Sequence, residues 1–222
     1  MTETSDLTSV RASYDAVAVD YARLVGTELA RKPLDRAVLA AFAEYVRGGG
    51  VRGDEGRGGR AVADLGCGPG RVTAHLDGLG VRAFGVDLSP AMVAVARRTY
   101  PGLRFEVGSM TALDVADGVL GGVLAWYSTV HTPPAELPEV FAEFARVLAP
   151  GGHVLIAFEA GDARLRLEHA YGHPVALDVY GTPTDLVAGL LAGAGLTEVA
   201  RLERGPDPHE TSPQGFLLAR KG

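Results

Sequence analysis

A chain that runs V-A-D-L-G-C-G-P-G-R-V-T-A-H-L over residues 62–76 has little choice of local structure. A short apolar run ends at Asp64, a turn carrying Gly66, Gly68 and Gly70 follows, and a helical pattern starts at once. Glycines in such a turn leave the backbone uncovered, so a ligand can approach main-chain N–H groups closely. The helix opening at Gly70 aims its free N–H groups and the positive end of its dipole into the same space. Strand, glycine turn and helix together predict a nucleotide-type cofactor site. What the site holds is decided by its surroundings.

The rest of the chain predicts alternating strands and helices. Strand 61–65 leads into helix 70–79, and strand 81–87 ends at Asp87. Ser89 followed by Pro90 is an N-cap and first-turn signal for helix 90–99. Strands follow near 103–107 and 118–126. Helix 135–149 puts Leu137, Val140, Phe141, Phe144, Val147 and Leu148 on one stripe, and Pro150-Gly151-Gly152 stops it before strand 153–159. Thr182 is the expected cap of a helix from Pro183 to Ala194. Strands near 196–203 and 214–220, joined by too short a loop for a crossover helix, should pair antiparallel. The fold class is α/β, a doubly wound and mostly parallel sheet with helices on both faces.

One domain of 222 residues accommodates this. Residues 1–47 read as a helical lid, with 1–10 frayed and a second helix starting at Pro33. Residues 48–60 read as a flexible glycine-rich linker, and 61–159 as the cofactor-binding core. An insertion at 160–181 is too polar and aromatic for a plain connector, and 182–222 carries the last helix and strand pair. A formal charge of −6 argues against general nucleic-acid binding. The single cysteine fits a reducing compartment, and neither a leader nor a membrane segment is visible, so the expected location is cytoplasmic. Either a monomer or a homodimer is compatible with this reading.

In a doubly wound sheet, ligands bind beyond the carboxyl ends of the strands. Asp64, Asp87, Ser109, Trp126, Tyr127, Ser128 and Glu159 all fall at such ends. Asp87 lies about 20 residues after the turn, where an acid can accept from a ribose hydroxyl pair. A dinucleotide reading would require a small residue where Arg71 stands, and it would set Asp64 close to a pyrophosphate. A cofactor with adenosine but no phosphates, carrying an amino-acid tail, fits better.

These motifs, D-L-G-C-G-P-G, G-V-D-L-S-P-A-M and L-A-P-G-G-H-V-L-I, resemble those of class I S-adenosylmethionine (SAM) dependent methyltransferases. The resemblance implies seven strands with the last reversed, and SAM as cofactor with S-adenosylhomocysteine (SAH) as product. It implies that Gly66, Cys67, Gly68 and Gly70 hold the methionine part, oriented by Asp64. Asp87 would bind the ribose, Leu88 and Met92 would flank the adenine, and Ser109 and Met110 would meet its edge. Ser109 departs from the Asp common there, though a serine can still bond an exocyclic amine. Trp126 would line the pocket near the methyl. The N-terminal Y-D-A-V-A-V-D-Y-A is similar to the lid of the small-molecule branch, whose acceptor is a small molecule.

Acceptor-side residues are expected among Tyr14, Tyr21, Tyr127, His131, Tyr171 and His173. Tyr14 and Tyr21 lie on one helical face, which fits core packing as well as a ligand lid. His131 is the first candidate for a general base and His173 the second; a surface or capping histidine is the competing reading of His131. His169 and His173 have a metal-pair spacing, but Gly172 and Pro174 interrupt the helix it needs, so no metal is expected. His75, His153 and His209 read as structural or exposed. A SAM-binding module that transfers no methyl group is the alternative function, with an NAD-linked oxidoreductase behind it.

Overall fold

A computed structural model describes residues 7–48, 59–208 and 210–222. Most of the 48–60 segment, the first six residues and His209 lie outside the described residues.

The helices α1 (Leu7–Val25), α2 (Glu28–Arg31) and α3 (Pro33–Gly48) come first. The core then alternates β1 (Val62–Leu65), α4 (Arg71–Gly78), β2 (Ala83–Asp87), α5 (Pro90–Thr99) and β3 (Phe105–Val107). It continues with β4 (Leu120–Trp126), α6 (Leu137–Val147) and β5 (Leu148–Glu159). The chain ends with β6 (Arg164–Ala170), β7 (His173–Tyr180), α7 (Thr184–Gly193), β8 (Leu196–Arg204) and β9 (Gln214–Lys221). Seven strands form one sheet in the order β3-β2-β1-β4-β5-β9-β8. The pairs among β1 to β5 are parallel, and β9 runs antiparallel to both β5 and β8. The expected doubly wound sheet with a reversed last strand is what forms.

Strand order reverses between β1 and β4, so the carboxyl ends of these two strands flank the switch point where such folds open a crevice. On one sheet face, α6 and α7 bury Val140, Phe141, Phe144, Val187 and Leu191. On the other, α3 and α4 bury Leu39, Phe42, Val46, Val72 and Leu76. Both faces are dry, which is why β1, β4 and β5 read as near-continuous apolar runs.

Two local expectations are corrected, and one segment left without an assigned structure gains one. The helix ends at Val147, and Leu148-Ala149-Pro150-Gly151-Gly152 belongs to β5, whose pairing with β4 is irregular there. Proline can enter a strand at such an irregularity because a bulge excuses its missing N–H. Pro183, not Thr182, occupies the cap position of α7 and makes no side-chain bond there. Thr182 instead donates its backbone N–H to the Glu159 carbonyl. The 160–181 segment is a second, two-stranded sheet of β6 and β7. Its turn residues Tyr171 and Gly172 have φ of 55° and 83°, the left-handed pair that a tight hairpin uses.

Phe144 is fully buried in the α6 layer. Phe144→Ala is expected to cost about 3–5 kcal/mol, read as a shift of the denaturant midpoint at unchanged slope.

Candidate functional site

The site is built on the seam between the β1 turn and the end of β2. The backbone N–H groups of Gly66 and Cys67 both donate to the Val86 carbonyl, at 2.8 and 3.1 Å. Gly68 N–H then donates to Asp87 Oδ2 at 2.7 Å, and Ser89 N–H to Asp87 Oδ1 at 2.8 Å. One carboxylate thus holds two segments in place. Burial raises the Asp87 pKa, and the two backbone donors oppose that rise. Each carboxylate oxygen keeps a second lone pair for a ligand.

Two glycines are sterically required. A Cβ on Gly66, at φ of 68°, would stand 2.3 Å from Ser128 Cβ, and one on Gly70 would stand 2.7 Å from the Phe105 ring. Ser89 caps α5 as expected, accepting from Met92 N–H at 3.1 Å. Arg71, whose bulk argued against a dinucleotide, pairs with Glu28 of α2 at 2.8 Å and hydrogen-bonds Tyr21.

α1 roofs the crevice. Asp15 Oδ1 accepts from Ser89 Oγ at 2.6 Å and from Ala91 N–H at 3.0 Å, pinning the roof to the start of α5. Below it lies a cavity whose lining includes Gly66, Gly68, Asp87, Leu88, Met92, Ser109, Met110, Trp126, Tyr127 and His131, with Tyr14 and Tyr21 from above. Tyr14 and His131, 117 residues apart in the chain, meet here. Asp64, Cys67, Gly70, Tyr171 and His173 are not part of the lining.

Each of those five has another observed setting. Cys67 packs with Val93, Ala96 and Phe105, and burial pushes its thiol well above the usual range. Tyr171 sits at the hairpin tip with its ring edge-on to Tyr21, centroids 5.0 Å apart. His173 Nε2 meets Asp20 Oδ2 of α1 at 2.9 Å. Gly70 packs under Phe105. Asp64 lies beneath the turn, where Oδ2 accepts from Thr73 Oγ1 at 2.6 Å and Oδ1 has no partner among the described residues.

Two side chains on opposite sides of the cavity form a pair. Tyr14 Oη lies 2.7 Å from His131 Nε2, and His131 Nδ1 lies 2.7 Å from the Asp178 carbonyl of β7. A carbonyl only accepts, so Nδ1 carries the proton and Nε2 presents a lone pair to the Tyr14 hydroxyl. Burial lowers the His131 pKa, against the pull of the Asp178 carbonyl, so the ring is neutral at pH 7. Burial also raises the Tyr14 pKa well above 10.0, so its hydroxyl keeps its proton. Tyr127, at φ of 54°, is a left-handed non-glycine residue at the exit of β4. That conformation, rare for a bulky side chain, turns the chain toward Ser128 and His131.

Sequence reasoning gave no role to Asp15 or Glu136, and it missed the partnership of Tyr14 with His131. Asp15 stands within the quoted lid motif, but its partners lie 74 and 76 residues away. Among the described residues no cluster of ligating side chains could hold a metal ion, and no helix is long and apolar enough to cross a membrane.

Residues 62–152 match the family profile of a methyltransferase domain. The demethylmenaquinone methyltransferase of Chlorobaculum parvum is 30% identical over 151 residues, covering 68% of this chain and 59% of that protein. The chain carries a class I SAM-dependent methyltransferase domain. Magnesium protoporphyrin IX methyltransferase from Synechocystis, solved with bound SAM, shares its fold over 100% of both chains at a TM-score of 0.73 and 15% identity. So does the 1,6-didemethyltoxoflavin-N1-methyltransferase of Burkholderia thailandensis, solved with its substrate and SAH, at a TM-score of 0.68 and 20% identity. That match covers 100% of this chain and 92% of the Burkholderia enzyme. This chain spans less than two thirds of the length of the curated relatives it matches.

Asp64 gives the site a measurable stability cost. Burial lifts its carboxyl from 3.8 to about 6, with Thr73 opposing. A raised carboxyl favours the folded state fully below its unfolded pKa and loses that advantage as pH rises through the folded one. Wild-type stability relative to Asp64→Asn should therefore fall by about 3 kcal/mol between roughly pH 4 and pH 7. Denaturant melts across that range measure it; parallel profiles would contradict a buried Asp64 charge.

Proposed function

We propose that this protein transfers a methyl group from SAM to a small molecule within the cavity under α1. The observation that carries the reading is convergence. The glycine turn, Asp87, Leu88, Met92, Ser109, Met110 and Trp126 come from different strand ends, yet all border the cavity or its floor. The relatives whose names specify small acceptors support the substrate class.

The residues fit the cofactor. Asp87 has lone pairs left for two ribose hydroxyls. Leu88 and Met92 supply apolar walls for the adenine, with Ser109 and Met110 at its edge. Ser109 Oγ is shared with Thr111 Oγ1 at 2.8 Å, a bond a hydroxyl can keep while meeting a ligand. Two buried oxygens at the turn, Asp64 Oδ1 and Ser128 Oγ, have no partner among the described residues. Groups of this kind suit the ammonium of an amino-acid tail, because a buried acceptor left unpaired is costly. Bound SAM supplies an activated methyl on a sulfonium.

The protein's part is to place the acceptor, exclude water and manage a proton. Tyr14, Tyr21, Trp126 and Tyr127 give an aromatic enclosure suited to a reaction in which a cationic centre becomes neutral. His131 is the base, since its Nε2 lone pair reaches the cavity through the Tyr14 hydroxyl it accepts from, while His173 is engaged with Asp20 outside the lining. The hairpin acts through its main chain: the Asp178 carbonyl sets the His131 tautomer. In this reading 160–181 orients the base, and none of its residues lines the cavity.

Asp87→Ala should weaken SAM binding by about 1.5–3 kcal/mol, the scale of hydrogen bonds to a charged group; unchanged affinity by calorimetry would remove the ribose assignment. His131→Ala should lower turnover sharply while SAH affinity is nearly kept. Because burial keeps His131 neutral, the wild-type rate should stay level through pH 6.5 and fall only below it. Full activity of the variant at every pH would rule out His131 as the base.

A further inference from the structure

Four strands stand at the ends of the two sheets: β3, β8, β6 and β7. Three of them are blunted. β3 has only three residues. β8 carries its own bulge, since two steps from Glu198 to Ala200 face a single step from Ala219 to Leu218. Its Arg201 is also tied back to Glu198 and to Asp185 of α7. β7 spends outer backbone groups within the chain, the Ala176 N–H on Ser13 Oγ at 3.0 Å and the Asp178 carbonyl on His131. Short strands, bulges and cover are means by which proteins keep an edge from pairing with another chain.

β6 has none of these. Among the described residues its seven residues pair with β7 alone, and five of them are exposed. The irregularity of this hairpin falls on β7, where three steps from Pro174 to Leu177 face two from His169 to Leu167. β6 itself stays regular. The direction of its free backbone groups follows from β7. The Asp178 carbonyl is turned to His131, so Arg166, opposite Asp178, also turns its own N–H and C=O away from the pair. Gly181 N–H donates to the Ala163 carbonyl at 2.7 Å, which puts the hydrogen-bonded pairs at the alternate positions, Leu165 with Val179 and Leu167 with Leu177. Arg164, Arg166 and Glu168 therefore present an open row of donors and acceptors.

We propose that this edge binds a second copy of the chain, β6 against β6, in one four-stranded antiparallel sheet across a two-fold axis. The charges select the register. With the axis at Leu167 all seven residues overlap, and Arg166 stands opposite Glu168 of the partner subunit, twice by symmetry. These are the residues with outward backbone groups, so they form the hydrogen-bonded pairs of the new ladder. An axis at Arg166 or at Glu168 would set each residue against its own copy, and one at Leu165 would set Arg164 against Arg166. Arg166 also bonds Asp178 of its own β7 at 2.7 Å, yet it is 57% exposed and has further donors. Glu168 has no side-chain partner among the described residues. The pairing also covers Leu165, an apolar side chain left 49% exposed. A strand pair of this length is a small interface, so the dimer depends on concentration. It braces from outside the hairpin whose Asp178 carbonyl holds His131.

Sedimentation velocity on the full chain tests this. The wild type should pass from monomer to dimer as its concentration rises through the micromolar range. Glu168→Arg and Arg166→Glu each oppose like charges at both symmetric positions, and each alone should weaken the dimer at least roughly tenfold. An unchanged circular dichroism spectrum checks the fold of each variant. Mixed together, the two variants should recover a one-to-one dimer, because arginine meets glutamate again at both positions. A wild type that stays monomeric up to about 1 mM overturns the proposal. So does a dimer indifferent to both substitutions, or a mixture that associates no better than either variant alone.

Discussion

The carboxylate of Asp87 is the point on which the site depends. It takes N–H groups from Gly68 and from Ser89, and so fixes the β1 turn against the start of α5. Burying that charge is costly, and the two donors offset the cost only in this geometry. The turn keeps its shape because glycine alone fits beside Ser128 and Phe105. Strand order then does the rest, since parallel β1, β2 and β4 all deliver their carboxyl ends to the same edge.

The roof is tied down from two sides. Toward the core, Asp15 accepts from Ser89 and Ala91, and Val17 and Ala18 pack on Met92 and Val95. Toward the hairpin, Ser13 Oγ accepts from Ala176 N–H, Asp20 meets His173, and Tyr21 meets Tyr171. Farther along, Arg71, Glu28, Lys32, Glu210 and Arg204 form a chain of ion pairs from α4 through α2 to the β8–β9 loop. Burial works against the Glu210 charge, yet hydrogen bonds from Arg204 and Lys32 hold its carboxyl at about 2. Tyrosines placed on such a braced helix make a defined wall, and Tyr14 gains its fixed partner in His131.

Much of this was legible in the sequence because local rules governed it. The glycine turn, the Ser89 cap, the apolar stripe of α6 and the antiparallel final pair each follow from spacing and residue type. What was not legible depended on contacts between distant segments. Nothing in the spacing of Tyr14 and His131 announces a hydrogen bond across 117 positions. His173, read as an acceptor-side residue, lies instead on the seam between α1 and β7, because the hairpin turn at Tyr171-Gly172 swings it toward Asp20. That turn carried a local signal, a residue followed by glycine between two alternating stretches, which the polar and aromatic composition of 160–181 obscured. Pro150-Gly151-Gly152 misled in the opposite direction: its breaker residues ended the helix two positions late and hid an irregular strand entry.

The central claim is that the crevice beneath α1, floored by the glycine turn and Asp87, is where SAM binds. Hydrogen exchange measured with and without SAH tests it directly. The account predicts slowed exchange in residues 66–70, 87–92 and 108–111 and along the cavity-facing part of α1. Tight SAH binding that leaves those segments unchanged, with protection appearing elsewhere, would contradict it.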